Sequence, residues 1–195
     1  MRILVACEES QIVVKAFRAK GHQAYSCDLL ECSGGHPEWH YQCDAIELAY
    51  DGGYDMMIAH PPCTYLSNVA NRVLRPGGIL NPERFAKGME AKAFFIKLLN
   101  APIEKIAIEN PVQSKVFEMP LHSQTLCPSW FGSPYRKKTR LWLKNLPPLM
   151  ATLIVERPES TKVLGNWYNK GGKERQKNRS KTFQGMADAM AEQWG

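Results

Sequence analysis

Within its first 28 residues the chain spells strand, helix, strand. Arg2 to Ala6 carries the apolar run Ile3-Leu4-Val5. Ser10 offers a helix cap, and Ile12, Val13, Ala16 and Phe17 fall on one face of a helix reaching about Lys20. Gly21 is its stop. His22 to Cys27 is a second strand, ending at Asp28. Two strands joined by a helix cannot close as a hairpin, so they lie parallel with a right-handed crossover. A parallel sheet needs cover on both faces. The expected fold class is therefore α/β, a mostly parallel sheet with helices on both sides.

The remaining chain supplies those pieces. Residues 29 to 43 read as a loop rich in Gly, Pro, Cys and His. Asp44 to Tyr50 is a short helix, and Tyr54 to Ala59 is a strand. Residues 64 to 81 form a long polar loop holding Asn68, Asn71, Arg72, Arg75 and Gly77-Gly78. Loops of that length in a compact domain tend to be lids or binding segments. Asn81-Pro82-Glu83 combines cap, first-turn proline and acid. The helix it starts runs to about Leu99, with Phe94, Phe95, Leu98 and Leu99 inward. Lys105 to Ile108 and Thr139 to Leu143 are strands. Residues 165 to 181 are a flexible basic segment, and Phe183 to Trp194 closes the chain as a helix. No repeat is present, and residues 1 to 195 read as one catalytic domain.

The 195 residues carry a net charge of +6, concentrated in two clusters. Arg136, Lys137, Lys138 and Arg140 make one; Lys170, Lys173, Arg175, Lys177, Arg179 and Lys181 make the other. An uneven positive charge favours an anionic partner, nucleic acid being the commonest. No apolar stretch reaches membrane-spanning length, so no membrane partner is expected. The N-terminal apolar run is too short for a signal peptide. Six cysteines spread through apolar strands read as reduced thiols of a cytoplasmic protein.

Chemistry concentrates at two strand ends. Met56 to Ala59 leads into His60-Pro61-Pro62-Cys63, where two prolines stiffen the turn presenting a thiol. Ile106-Ala107-Ile108 leads into Glu109-Asn110-Pro111. A thiolate and an acid at one carboxyl edge suit addition to an electron-poor ring, the acid bonding a ring nitrogen. The turn Ala6-Cys7-Glu8-Glu9-Ser10-Gln11 lacks the glycines of a dinucleotide fingerprint. It stands equally as a cofactor loop using helix N-terminal amides and as an ordinary capped helix start. Asp28, about twenty residues on, sits where such folds set an acid against a ribose hydroxyl. Strand alternation points Arg136, Lys138 and Arg140 to one side, as a phosphate-binding row or as a charged edge against aggregation. Cys27, Cys32, His36, His40 and Cys43 approach zinc-ligand chemistry, but their spacing matches no compact finger. No metal is expected; His36 and His40 could instead line a cofactor or substrate mouth.

The order of these motifs resembles the C5-cytosine DNA methyltransferases across most of the chain. That resemblance implies a Rossmann-like, S-adenosylmethionine-dependent methyltransferase fold. Residues 5 to 11 then match the methionine-moiety loop, with Ala6, Cys7, Glu8 and Ser10 as cofactor contacts. Asp28 matches the ribose acid and Asp44 the acid at the adenine amino group. Pro61 and Gly185, the latter in the motif that folds back at the end, complete the cofactor set. Cys63 resembles the nucleophile and Glu109 the acid that engages N3 and N4 of a flipped cytosine. Arg140 resembles the second arginine of the family's Gln-x-Arg-x-Arg signature, with Arg136 and Lys138 in its other places. The loop after Cys63, with Asn68, Arg72 and Arg75, resembles the lid over the base, and Asn110 joins the substrate set.

The implied reaction is methyl transfer to carbon 5 of cytosine in DNA, through a covalent Cys63 adduct on a base flipped at a cost of about a few kcal/mol. The family's target-recognition domain normally lies between the arginine strand and the last motif. Only residues 144 to 182 fill that interval here. Sequence recognition then falls to the lid, to residues 157 to 180, or to a partner protein. A free cytosine nucleotide as substrate, and an inactive nucleic-acid-binding module, are the alternatives. Amino-methyltransferases are disfavoured, because His60 and Cys63 stand where those enzymes carry an acid or amide and an aromatic.

Overall fold

The computed structural model describes residues 1–160 and 181–195. The basic segment expected over 165 to 181 therefore lies, except for Lys181, outside the described residues. Strands β1 (Arg2–Ala6), β2 (Gln23–Asp28), β3 (His40–Gln42), β4 (Met56–Ala59) and β5 (Lys105–Pro111) run parallel in one sheet. β8 (Thr139–Lys144) lies antiparallel between β5 and β6 (Gln124–Leu126). The order β3-β2-β1-β4-β5-β8-β6 reverses direction between β1 and β4. That is the switch point of a Rossmann-like sheet, where the carboxyl ends of the strands open a crevice. β7 (Tyr135–Arg136) and β9 (Glu159–Ser160) form a separate two-stranded ribbon.

Alternation along β1 divides the core. Ile3 and Val5 face one layer with Val13, Val14 and Phe17 of α1 (Ile12–Ala19) and Met186, Met190 and Trp194 of α5 (Gln184–Trp194). Leu4 and Ala6 face the other, with Ala45 and Ala49 of α2 (Ala45–Asp51) and Phe95 and Leu98 of α4 (Pro82–Leu99). Asn81 caps α4 as expected, accepting from the Arg84 amide at 3.0 Å. Phe95 and Leu98 are fully buried, while Phe94 and Leu99 are only partly so.

Four expectations need correction. The loop over 29 to 43 holds β3, whose three residues pair with Ser26 to Asp28 at the sheet edge. The loop over 64 to 81 holds α3 (Asn71–Leu74) between two 3-10 turns, and buried Leu66 and Leu74 pack on Phe117. Ser10 does not cap α1. Gln11 occupies that position with φ 57°, and the capping carboxylate is Glu8, which accepts from the amides of Val13 (2.8 Å) and Val14 (3.4 Å). Finally, the basic row divides: Arg136 belongs to β7, paired with Ser160, whereas Arg140 belongs to β8, paired with Asn110.

Candidate active site

The parallel register Ala59↔Ile108 brings the residues that follow, His60 and Glu109, side by side at the sheet's carboxyl edge. His60 Nδ1 lies 3.0 Å from Glu109 Oε2, with both side chains nearly buried. Burial works to raise the Glu109 carboxyl. The His60 hydrogen bond, the Lys137 charge and the Thr139 hydroxyl outweigh it and hold Glu109 below its ordinary range. For His60, burial opposes the charged ring, but Glu109 and the charge of Glu8 raise it above its ordinary value. The two shifts favour an imidazolium against a carboxylate.

The turn beyond His60 is fastened to the same edge. Asn110, 1% exposed, donates from Nδ2 to the Pro61 carbonyl at 2.9 Å. Its Oδ1 accepts from Gln113 Nε2 at 3.3 Å, and Gln113 Oε1 accepts from Arg140 Nη1 at 3.3 Å. A continuous polar chain thus joins the proline turn to the arginine strand. The Cys63 carbonyl accepts the amides of Leu66 and Ser67, and Arg84 donates to the Thr64 carbonyl, closing the turn after the thiol.

Two cavities border this edge. One of about 560 Å³ is lined by Cys7, Asp28, Leu29, Asp44, Pro62, Tyr65 and Phe94, among others. Burial raises the Asp28 carboxyl, although its Oδ1 accepts from the Leu30 amide. One Asp44 oxygen caps α2 at the Ile46 amide. Two acids over apolar walls fit an adenosine, with carboxylates for ribose hydroxyls and an amino group and apolar sides for the ring. The α1 amides of Val13 and Val14, taken by Glu8, do not serve an anionic ligand. The second cavity, about 550 Å³, is lined by Asn68, Asn71, Arg75, Gln113, Lys115, His122 and Arg140, among others. Residues 62 to 68 bridge the two, since Pro62 and Tyr65 line the first and Asn68 the second.

The expected site residues thus separate into groups. Cys7, Asp28 and Asp44 meet in the first cavity; Asn68, Arg75 and Arg140 meet in the second. Ala6, Glu8, Ser10 and Pro61 line neither, and Ala6 and Glu8 are buried. A Cβ on Gly185 would stand 1.9 Å from the Phe131 carbonyl oxygen, so its position is one of close helix packing. Arg72, Arg136 and Lys138 are exposed and outside both cavities. Cys63 and Glu109 line neither cavity, although Cys63 lies in the chain between Pro62 and Tyr65 of the first. Burial and the nearby acids Asp28 and Asp44 push the Cys7 thiol far up, so it stays protonated.

The cysteine and histidine cluster does not converge among the described residues. His36 stacks on Trp39, His40 bonds Ser26 and the Leu30 carbonyl, and Cys27 and Cys43 contact each other at 3.7 Å. Sequence reasoning missed His60, Gln113, Lys137 and Thr139. The alternation rule selected Arg136 and Lys138, but residues 137 and 138 lie in a break between β7 and β8. Lys137 is the residue whose charge reaches Glu109 and His60. No helix among the described residues is long and apolar enough to cross a membrane.

No family model matches the chain, and no curated protein matches it. Solved structures do. A chain named as a DNA modification methyltransferase encoded within an E. coli prophage aligns at 15% identity and TM-score 0.47, over 80% of this chain and 52% of its own. The S. pombe Dnmt2 methyltransferase aligns at 15% identity and TM-score 0.46, over 89% and 56%. A Spodoptera frugiperda DNMT2 mutant aligns at 15% identity and TM-score 0.45, over 82% and 56%. The chain spans about half the length of these structures.

Proposed function

We propose that this chain transfers a methyl group from S-adenosylmethionine to carbon 5 of cytosine in DNA. The observation that carries the reading is the single edge shared by the Pro61-Pro62-Cys63 turn and Glu109, bolted by the Asn110 bond to Pro61. A binding module needs neither a rigid thiol turn nor a buried acid beside it. Asp28 and Asp44 would hold the cofactor's nucleoside, and when bound it supplies an electrophilic methyl group. Cys63 adds to C6 of a base flipped from the stack. Glu109 bonds the pyrimidine edge at N3 and the 4-amino group, and Arg140, tied to Gln113, faces the base from β8. Carbon 5, made nucleophilic, takes the methyl group; loss of its proton and expulsion of Cys63 restore the ring. Lys115, Arg75 and Arg140 give the second cavity a cationic lining suited to the phosphate backbone.

The test is mass spectrometry of nucleosides from DNA incubated with the protein and labelled methyl donor. The expected product is labelled 5-methylcytosine, lost in Cys63→Ser. A label on adenine N6 or cytosine N4 would overturn the assignment, as would unchanged labelling in the variant. Running the assay on DNA and on free cytosine nucleotides separates the two substrate classes.

A further inference from the structure

We propose that His60 is a positioning residue that stores the proton which Glu109 delivers to the pyrimidine ring. This rests on the C5 reading above and adds a residue to it. The geometry is specific. His60 is 6% exposed, Nδ1 bonds Glu109 Oε2 at 3.0 Å, and buried Nε2 has no partner among the described residues. His60 is also built into the fold, its amide donating to the Ala6 carbonyl at 2.9 Å. A histidine at the first position of a rigid proline turn, aimed sideways at the acid of the neighbouring strand, costs burial without adding apolar packing.

The chemistry needs what this arrangement supplies. Glu109 on its own pairing is a carboxylate, which can accept from the 4-amino group but has no proton for N3. When the Cys63 thiolate pair forms the S–C6 bond, the C5–C6 double bond moves to C4–C5. The C4–N3 π pair then settles on N3. N3 takes a proton from Glu109 as Glu109 takes one from His60 Nδ1, leaving a neutral imidazole. The C4–C5 pair then bonds the methyl carbon, C4=N3 re-forms, and N3 returns its proton through Glu109 to His60. A water takes the C5 proton, and the C5–H pair forms C5=C6 as the C6–S pair leaves on Cys63 as thiolate. No group is consumed. The charges around His60 are set for this: Glu109 from β5 and Glu8 from the turn after β1 favour the imidazolium, and Lys137 between β7 and β8 opposes it.

The test compares methyl transfer against pH in the wild type and in His60→Asn, whose amide keeps a neutral donor near the Nδ1 position. The wild-type rate should fall at high pH with the loss of the imidazolium proton, above the ordinary histidine value of about 6.5. In the variant that descending limb should move down by about one pH unit or more, with a rate loss of about 10-fold or more at neutral pH. A variant profile that is only scaled, its midpoints unmoved, overturns the proposal. So does a variant with the wild-type rate. Should the variant not fold, nitrogen-15 spectra of histidine-labelled wild type decide: two protonated ring nitrogens at pH 7 support the proposal, and a neutral His60 ring overturns it. A wild type that transfers no methyl to carbon 5 refutes the C5 reading instead, a result the spectra distinguish.

Discussion

Replacing Asn110 by alanine removes the bolt between the thiol turn and the acid strand. The Pro61 carbonyl loses its 2.9 Å donor and Gln113 loses its 3.3 Å acceptor, where Asn110 and Gln113 are 1% and 5% exposed. Each buried group left without a partner costs about 1–3 kcal/mol, so the pair together costs about 2–6 kcal/mol. In a domain of this size about 1 kcal/mol moves the melting midpoint by about 2–4 °C. The expected fall is about 4–24 °C by calorimetry. Because Pro61 lies two positions before Cys63, kcat for methyl transfer should drop about 10- to 100-fold with KM little changed. Gln113→Ala leaves the Pro61 bond intact and should cost less in both. The double variant should be non-additive, since the two amides share one bond. A midpoint shift under about 2 °C, or strict additivity, would refute the bolt.

Gly88 of α4 has no room for a side chain: a Cβ there would lie 2.2 Å from the Phe117 ring. Gly88→Ala should cost about 1–3 kcal/mol by overpacking and, through Phe117, loosen Leu66 and Leu74 of the segment after Cys63; protease cutting within residues 64 to 81 should rise, and an unchanged digestion pattern would argue against that coupling. Stability should depend on pH through the His60–Glu109 pair. His60, raised by its partner, contributes fully below its unfolded value of about 6.5 and loses that as pH climbs through the folded value; Glu109, depressed, contributes above about 4.3 and loses it as pH falls through its folded value. The melting midpoint should therefore be highest between those values, and His60→Asn should flatten the alkaline slope; an unaltered slope would count against the pairing. Asp28→Asn should weaken S-adenosylmethionine binding about 10-fold, or about 1.4 kcal/mol, by calorimetry, and wild-type affinity would remove Asp28 from the ribose contact.

Local signals carried much of the fold. The strand-helix-strand start, the Asn81 cap and the apolar runs before His60 and Glu109 are each readable from neighbours a few residues apart. The failures have physical causes. β3 is three residues of His-Tyr-Gln at an edge, with no alternation or apolar run to announce it. The β7–β8 break defeats a side-counting rule because residues 137 and 138 do not continue a pleat, which is why Lys137 went unnoticed beside Glu109. Glu8 was read as a cofactor contact, yet its carboxyl oxygens cap the start of α1. His60 was visible only as a departure from a rival chemistry, because its partner lies 49 positions away. Spacing along the chain does not report a contact made by parallel register.

Methyl transfer by this route requires transient bonding between the Cys63 sulfur and a pyrimidine. The most direct measurement is peptide mass spectrometry after incubating the protein with 5-fluorocytosine DNA and methyl donor, since fluorine at carbon 5 blocks release. The expected result is a nucleotide adduct on the peptide containing Cys63, absent in Cys63→Ser and slowed in Glu109→Gln. Methylation of ordinary DNA without any such adduct, or an adduct on another of the six cysteines, would contradict it.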